Sequence, residues 1–116
     1  MQSYEAVHSH STGAEVAEIV QRLWAESGEP AEVVSEEFVI LPRLGRVECV
    51  FDAIGTLRNS RTTLTKLLDQ GLDVLILVPI RLLGTAHEEV RDMNIALQGW
   101  IEGDTGIPRF VFPEQA

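Results

Sequence analysis

The stretch Asp73 to Ile80, DVLILVPI, constrains this chain most, because its apolar residues do not alternate with polar ones. That is the pattern of a strand buried on both faces in the middle of a sheet. What surrounds it sets the fold class. Upstream, Thr12 with Glu15 three residues later forms a capping box, and Val16, Ile19, Val20, Leu23 and Trp24 then recur on one helical face until Gly28 ends the helix. The polar GEPAE link leads to Val33 and Val34. A strand from Phe38 to Leu41 follows, closed by Pro42 and Gly45, and a second from Arg46 to Ile54 makes a β-hairpin with it. Residues 55 to 60 read as a loop or as a short third strand from Thr56 to Asn59. Leu64, Leu67 and Leu68 mark the next helix, with Ser60 or Thr62 as cap and Gly71 as stop.

After the central strand, Thr85 and Glu88 make a second capping box. Val90, Met93, Leu97, Trp100 and Ile101 then give the stripe of a long helix ending by Gly103, and a last strand spans Arg109 to Phe112. The order is helix, two or three strands, helix, buried strand, helix, strand. It predicts one three-layer α/β domain over residues 12–116, a mixed central sheet flanked by helices, preceded by a polar tail over residues 1–11. Leu75, Ile76 and Leu77 should be fully buried.

Composition narrows the partners. The chain has 116 residues, 45 % of them apolar, which is enough for one core and too little for two. The run ending at Arg81 is far shorter than the roughly 18 apolar residues of a membrane span. The start shows no basic region followed by an apolar core, so the expectation is a cytoplasmic chain without membrane contact. A net charge of −9, with Lys66 as the single lysine and scattered arginines, repels polyanions, so no direct nucleic-acid contact is expected. The same acid-rich, lysine-poor surface suits high salt, where screening weakens charge terms. Cys49, the single cysteine, excludes an internal disulfide and reads as a buried packing residue. Trp24 and Trp100 read as core as well.

Few residues carry candidate chemistry. Glu48 and Asp52 share one face of a strand, four residues and so about 13 Å apart, too far to chelate one ion without a third group. They are nevertheless the two metal candidates. Arg81, Thr85 and His87, placed at the start of the expected long helix near the end of the buried strand, form a candidate anion or small-ligand site, without a Gly-rich phosphate loop. His8, Ser9 and His10 make a His-x-His in the tail with no third ligand at fixed geometry.

Taken with the helix–strand order, GRVE (Gly45 to Glu48) resembles the restriction-endonuclease-like, PD-(D/E)xK nuclease superfamily, over roughly Thr12 to Pro113. The resemblance implies an acid on the second strand and a Glu-x-Lys on the third, ten to fifteen positions on, which together hold Mg²⁺ and a water. Glu48 takes the first role, and the triplet falls on Asn59, Ser60 and Arg61, so that Asn replaces the metal-binding Glu and Arg replaces the Lys. Glu15 matches the family's accessory acid loosely. A neutral Asn is a poor ligand for a hard cation, and a permanently protonated Arg cannot accept a proton from water. The implied site of Glu48, Asp52, Asn59 and Arg61 is degenerate. A second resemblance, of VECVFDAIGTLRNS to motif I of the haloacid dehalogenase superfamily, implies Asp52 as nucleophile, with Ile54 standing where a phosphatase has its general acid. A later GDT, Gly103 to Thr105, is similar to that family's terminal acidic motif but lacks its following Asp.

Three functions compete. The first is a nuclease-fold protein without cleavage activity that works through protein contacts, with a protein partner or as a homodimer, and with no cofactor. The second is a Mg²⁺-dependent hydrolase, nuclease or phosphatase, using Glu48 and Asp52. The third is a ligand-binding module using Arg81, Thr85 and His87.

Overall fold

The computed structural model describes residues 12–35, 37–101 and 109–115. Helix α1 (Gly13–Glu26) starts at the expected capping box, with the Glu15 N–H donating to the Thr12 hydroxyl (3.1 Å) and the Thr12 N–H to the Glu15 carboxylate (2.8 Å). Strand β1 (Glu32–Val33) is a short edge. Strands β2 (Phe38–Leu41) and β3 (Arg46–Val50) form the expected hairpin, turned at Gly45, whose φ of 62° favours glycine. Helices α2 (Ile54–Asn59) and α3 (Arg61–Asp69) follow, then strand β4 (Asp73–Pro79), a 3₁₀ turn (Ile80–Leu82), helix α4 (Leu83–Glu89), strand β5 (Ala96–Ile101) and two short strands, β6 (Arg109–Phe110) and β7 (Glu114–Gln115).

The strands form one mixed sheet in the order β1-β2-β3-β4-β5-β6, with β7 also on β5. Strand β2 runs antiparallel to β1 and β3, whereas β3, β4 and β5 are parallel, Glu48 lying opposite Leu75 and Leu75 opposite Ala96. Strand β4 is therefore central. Leu75, Ile76 and Leu77 are at most 2 % exposed, as its sequence predicts.

The pleat sorts the core into two layers. Val47, Cys49, Phe51, Val74, Ile76, Val78 and Leu97 face Leu57 of α2, Leu64 of α3 and Ala86 of α4. Val39, Val50, Leu75, Leu77 and Trp100 face Val16, Ala17 and Val20 of α1. The result is a three-layer α/β domain with three helices on one face and one on the other.

Three local expectations are corrected. The long helix from Thr85 to Gly103 does not form: α4 stops at Glu89, and residues 96–101 are strand β5. Val90, Met93, Leu97, Trp100 and Ile101 do fit a helical spacing, but β4 needs a hydrogen-bonding neighbour on its second edge and β5 supplies it. Gly99 fits that place, since a Cβ there would come within 3.4 Å of the Ile80 Cα. The second capping box is also absent, because α4 begins at Leu83 and Thr85 lies inside it. Residues 54–59 are helical, neither loop nor strand, with Leu57 fully buried as the anchor. Ser60 is the N-cap residue of α3, but its side chain makes no cap hydrogen bond. The tail with His8 and His10, and the Gly103–Thr105 triplet, lie outside the described residues.

Because Leu77 is buried in the α1 layer at 1 % exposure, Leu77→Ala should lower unfolding free energy by about 2–5 kcal/mol. Urea melts of wild type and variant measure it, and a loss under about 1 kcal/mol would contradict the placement of β4 at the centre.

Candidate functional site

The pleat sends Glu48 of β3 toward α1, into a layer that is otherwise apolar. It is the only buried charged residue among those described, 4 % exposed. A carboxylate in such a place has to be met by donors, and both oxygens are. The Trp24 indole N–H donates to Oε1 (3.0 Å), and the Arg46 Nε–H donates to Oε2 (2.9 Å). Arg46 is two residues back on the same strand and so on the same face. Its guanidinium also lies 3.7 Å from Asp73, the first residue of β4. Next to Glu48, burial and then the carboxylate's charge push the Cys49 thiol far up, so Cys49 is a protonated packing residue.

Glu48 and Arg46 border a groove of about 420 Å³. Its α1 wall is Val20, Leu23, Trp24 and Ser27; Leu77 and Gln98 form its floor, and Phe110 and Pro113 its far wall. The groove exists because α1 lies over β1, β2 and β3, leaving the same face of β4 and β5 to the C-terminal segment. That segment is fastened to β5 by the Val111 N–H on the Gly99 carbonyl (2.9 Å) and by the Gln98 side-chain amide on the Val111 carbonyl (2.7 Å).

Asp52 is elsewhere. Its Oδ2 accepts the Gly13 N–H (2.8 Å) at the N-terminus of α1, where a carboxylate complements the helix dipole. It lines a smaller cleft of about 310 Å³ with Thr12, Glu37 and Thr56. Glu48 meets Trp24 near the other end of the helix, and the axis between Gly13 and Trp24 is about 16 Å long. The two metal candidates do not share a strand as expected, since β3 ends at Val50 and Asp52 lies beyond it, and they serve opposite ends of one helix. Groups of three or more His, Cys, Asp and Glu placed to hold a metal ion are absent among the described residues.

Asn59, Ser60 and Arg61 do not lie on a strand beside Glu48. They form the junction of α2 and α3, on the far face of the sheet. The reason is Leu57 and Leu64, seven residues apart, which pack both short helices into the far layer. Arg61 donates to the Glu89 carbonyl and to Asp92 (2.9 Å), and Arg58 pairs with Glu89 (2.9 Å), tying this junction to the end of α4. The hydrogen bond from Arg58 holds the Glu89 carboxyl below its usual range, and that from Arg61 does the same for Asp92.

The remaining candidates are dispersed as well. Arg81 is in the 3₁₀ turn, Thr85 is exposed within α4, and His87 is in the last turn of that helix rather than the first, 2.8 Å from Glu114 of β7. Neither groove nor cleft is lined by these three. What the sequence reading missed is the Arg46–Glu48–Trp24 cluster and the C-terminal wall of the groove. The cluster had a signal, since opposite charges two apart on a strand share a face. The wall had none, because Phe110 and Pro113 reach the groove through pairing to a strand that reads as helix. No family model, curated protein or solved structure matches this chain.

Two measurements check these pairings. Arg46→Met should destabilise the fold by about 1–3 kcal/mol by leaving a buried acceptor without its donor, while Arg46→Met with Glu48→Met should restore much of that loss. A double-mutant cycle in urea reads the coupling, and independent effects would contradict the ion pair. The second is acid stability. Because the Glu89 and Asp92 carboxyls are depressed in the folded state, their contribution is present above the ordinary carboxylate range and lost as pH falls through the lower folded values. Arg58→Ala with Arg61→Ala should therefore flatten the fall in melting temperature below about pH 4.5, the ordinary value for Glu. An unchanged slope would remove the two pairs from the acid response.

Proposed function

We propose that this chain is a nuclease-fold domain without cleavage activity that works through protein contacts. The observation that carries the reading is the state of Glu48. Both of its oxygens are taken by protein donors, it is buried, and Asp52 is held at the other end of α1. A cation drawn to Glu48 would have to displace Arg46 and the Trp24 indole, and no group of three or more His, Cys, Asp and Glu placed to hold it is found among the described residues.

The restriction-endonuclease-like resemblance supports the same reading when its strands are counted along the sheet. Glu48 lies on the third strand, not the second, so the triplet that stands for Glu-x-Lys is Glu48, Cys49 and Val50. Val50 is fully buried and apolar where the resemblance implies a Lys, and the second strand, Phe38 to Leu41, carries no acid. The inactive site then rests on Val50 and on the missing second-strand acid, in place of Asn59 and Arg61. A net charge of −9 weighs against nucleic acid as the partner and supports the protein-contact reading.

The expected result is weak binding of Mg²⁺ and Mn²⁺ by calorimetric titration, no cleavage of plasmid or single-stranded DNA with either ion, and no anisotropy change on labelled duplex at moderate salt. Cleavage by wild type that disappears in a folded Glu48→Gln variant would overturn the reading.

A further inference from the structure

We infer that the groove between α1 and the C-terminal segment binds a small uncharged ligand, a planar ring system with an amide or lactam edge set against Glu48 and Arg46. This goes beyond the protein-contact reading and does not rest on it. The groove, at about 420 Å³, falls within the roughly 300–1,000 Å³ of small-molecule sites. Leu23 and Trp24 form its α1 wall, Phe110 and Pro113 the opposite one, and Leu77 lies in its floor. The C-terminal wall is fastened to β5, since Val111 is held to Gly99 and Gln98 by two hydrogen bonds. An apolar, partly aromatic slot with a few polar groups on its lining takes up flat rings and orients them by those groups.

The polar groups define the class of ligand. Glu48 and Arg46 are 2.9 Å apart and both border the groove. A carboxylate has about four acceptor positions, and a guanidinium has several N–H donors. Among the described residues, Glu48 accepts two hydrogen bonds, from Trp24 and Arg46, and Arg46 donates through Nε alone, its approach to Asp73 at 3.7 Å being too long for a hydrogen bond. An acceptor and a donor therefore remain side by side. An amide or lactam, with its own N–H and C=O side by side, is their complement. Charge is already balanced within the pair, so a carboxylate or an ammonium on the ligand would bring an uncompensated charge into an apolar slot. A second observation points the same way. A buried ion pair adds little stability over apolar residues of similar volume. Glu48, 4 % exposed in an apolar layer, is therefore not explained by stability, whereas a groove that has to orient a ligand needs such a pair.

The chain has two tryptophans, so two-dimensional ¹H–¹⁵N NMR shows two indole signals, and that of Trp24 reports on the groove because its N–H donates to Glu48. Titration with 1-isoquinolone, a bicyclic lactam, should shift the Trp24 signal saturably, with a dissociation constant on the order of 1 mM or lower. N-methylation of this lactam removes its donor, and 1-naphthoate puts a charge in place of the lactam. Each should bind about tenfold more weakly or worse. In Arg46→Met with Glu48→Met, checked for folding by circular dichroism, the lactam and its N-methyl analogue should bind alike. A wild type whose Trp24 signal ignores the lactam overturns the inference, as does equal binding of the three compounds. A folded double variant that still prefers the lactam overturns the assignment of its edge to Glu48 and Arg46. If the double variant does not fold, the three-compound comparison on wild type decides alone.

Discussion

Strand β4 sets the terms for everything else. Its residues from Val74 to Pro79 are all buried, so water can satisfy neither its faces nor its edges. Every amide and carbonyl along it therefore has to find a strand, and each of its faces a covering layer. The β2–β3 hairpin provides the first edge through β3. On the second edge the sole continuous partner is β5, which forces residues 96–101 into extended backbone although their apolar spacing also fits a helix. Helix propensity is worth tenths of a kcal/mol per residue, and an unpaired buried peptide group costs more than that. The sheet wins that comparison.

Covering the faces is a separate problem, and the chain solves it unevenly. Leu57, Leu64 and Ala86 bring three short helices onto one face, while α1 alone serves the other. A helix is about 10 Å wide with its side chains and neighbouring strands are about 4.8 Å apart, so one helix covers two or three strands of this sheet and not five. Having settled over β1 to β3, α1 leaves β4 and β5 to Trp100 and the C-terminal segment. The groove is the remainder of that arithmetic. Glu48 lies along the same seam, where Trp24 and Arg46 can reach it.

How much of this could be read in the sequence follows from the range of the forces involved. Three local signals came out as expected, the Thr12–Glu15 box, the turn at Gly45 between β2 and β3, and the unbroken apolar run of β4, whereas the Thr85–Glu88 box did not, because α4 begins at Leu83. The other errors lie where a distant partner decides. Residues 96–101 follow the demand of β4, and residues 54–59 follow the pocket that receives Leu57. The candidate site failed for the same cause, since placing Asn59 and Arg61 beside Glu48 assumed a third strand that the far layer had already claimed as helix. Of that site, the strand period placed Glu48 correctly on β3, but β3 ends at Val50 and leaves Asp52 beyond it. Their separate partners, Trp24 and Gly13, were not legible, because both lie on α1 and nothing local records the direction in which α1 crosses the sheet.

That crossing direction has a consequence for Glu48 itself. Helix α1 passes along β3 with its start at Asp52 and its last turns at Glu48, so the two carboxylates meet opposite ends of the helix dipole. At the start, exposed N–H groups and the positive end favour a carboxylate, and Asp52 sits comfortably there. Toward the end the dipole is unfavourable for an anion, and Glu48 is moreover buried. Its retention therefore depends on donors from side chains, Trp24 and Arg46, in place of the backbone. A residue held in this way has a packing neighbour in the indole and a charge partner in the guanidinium, and both of those border the groove. Anything that enters the groove therefore rests against side chains that already neutralise the buried charge, which suits an apolar occupant better than a charged one.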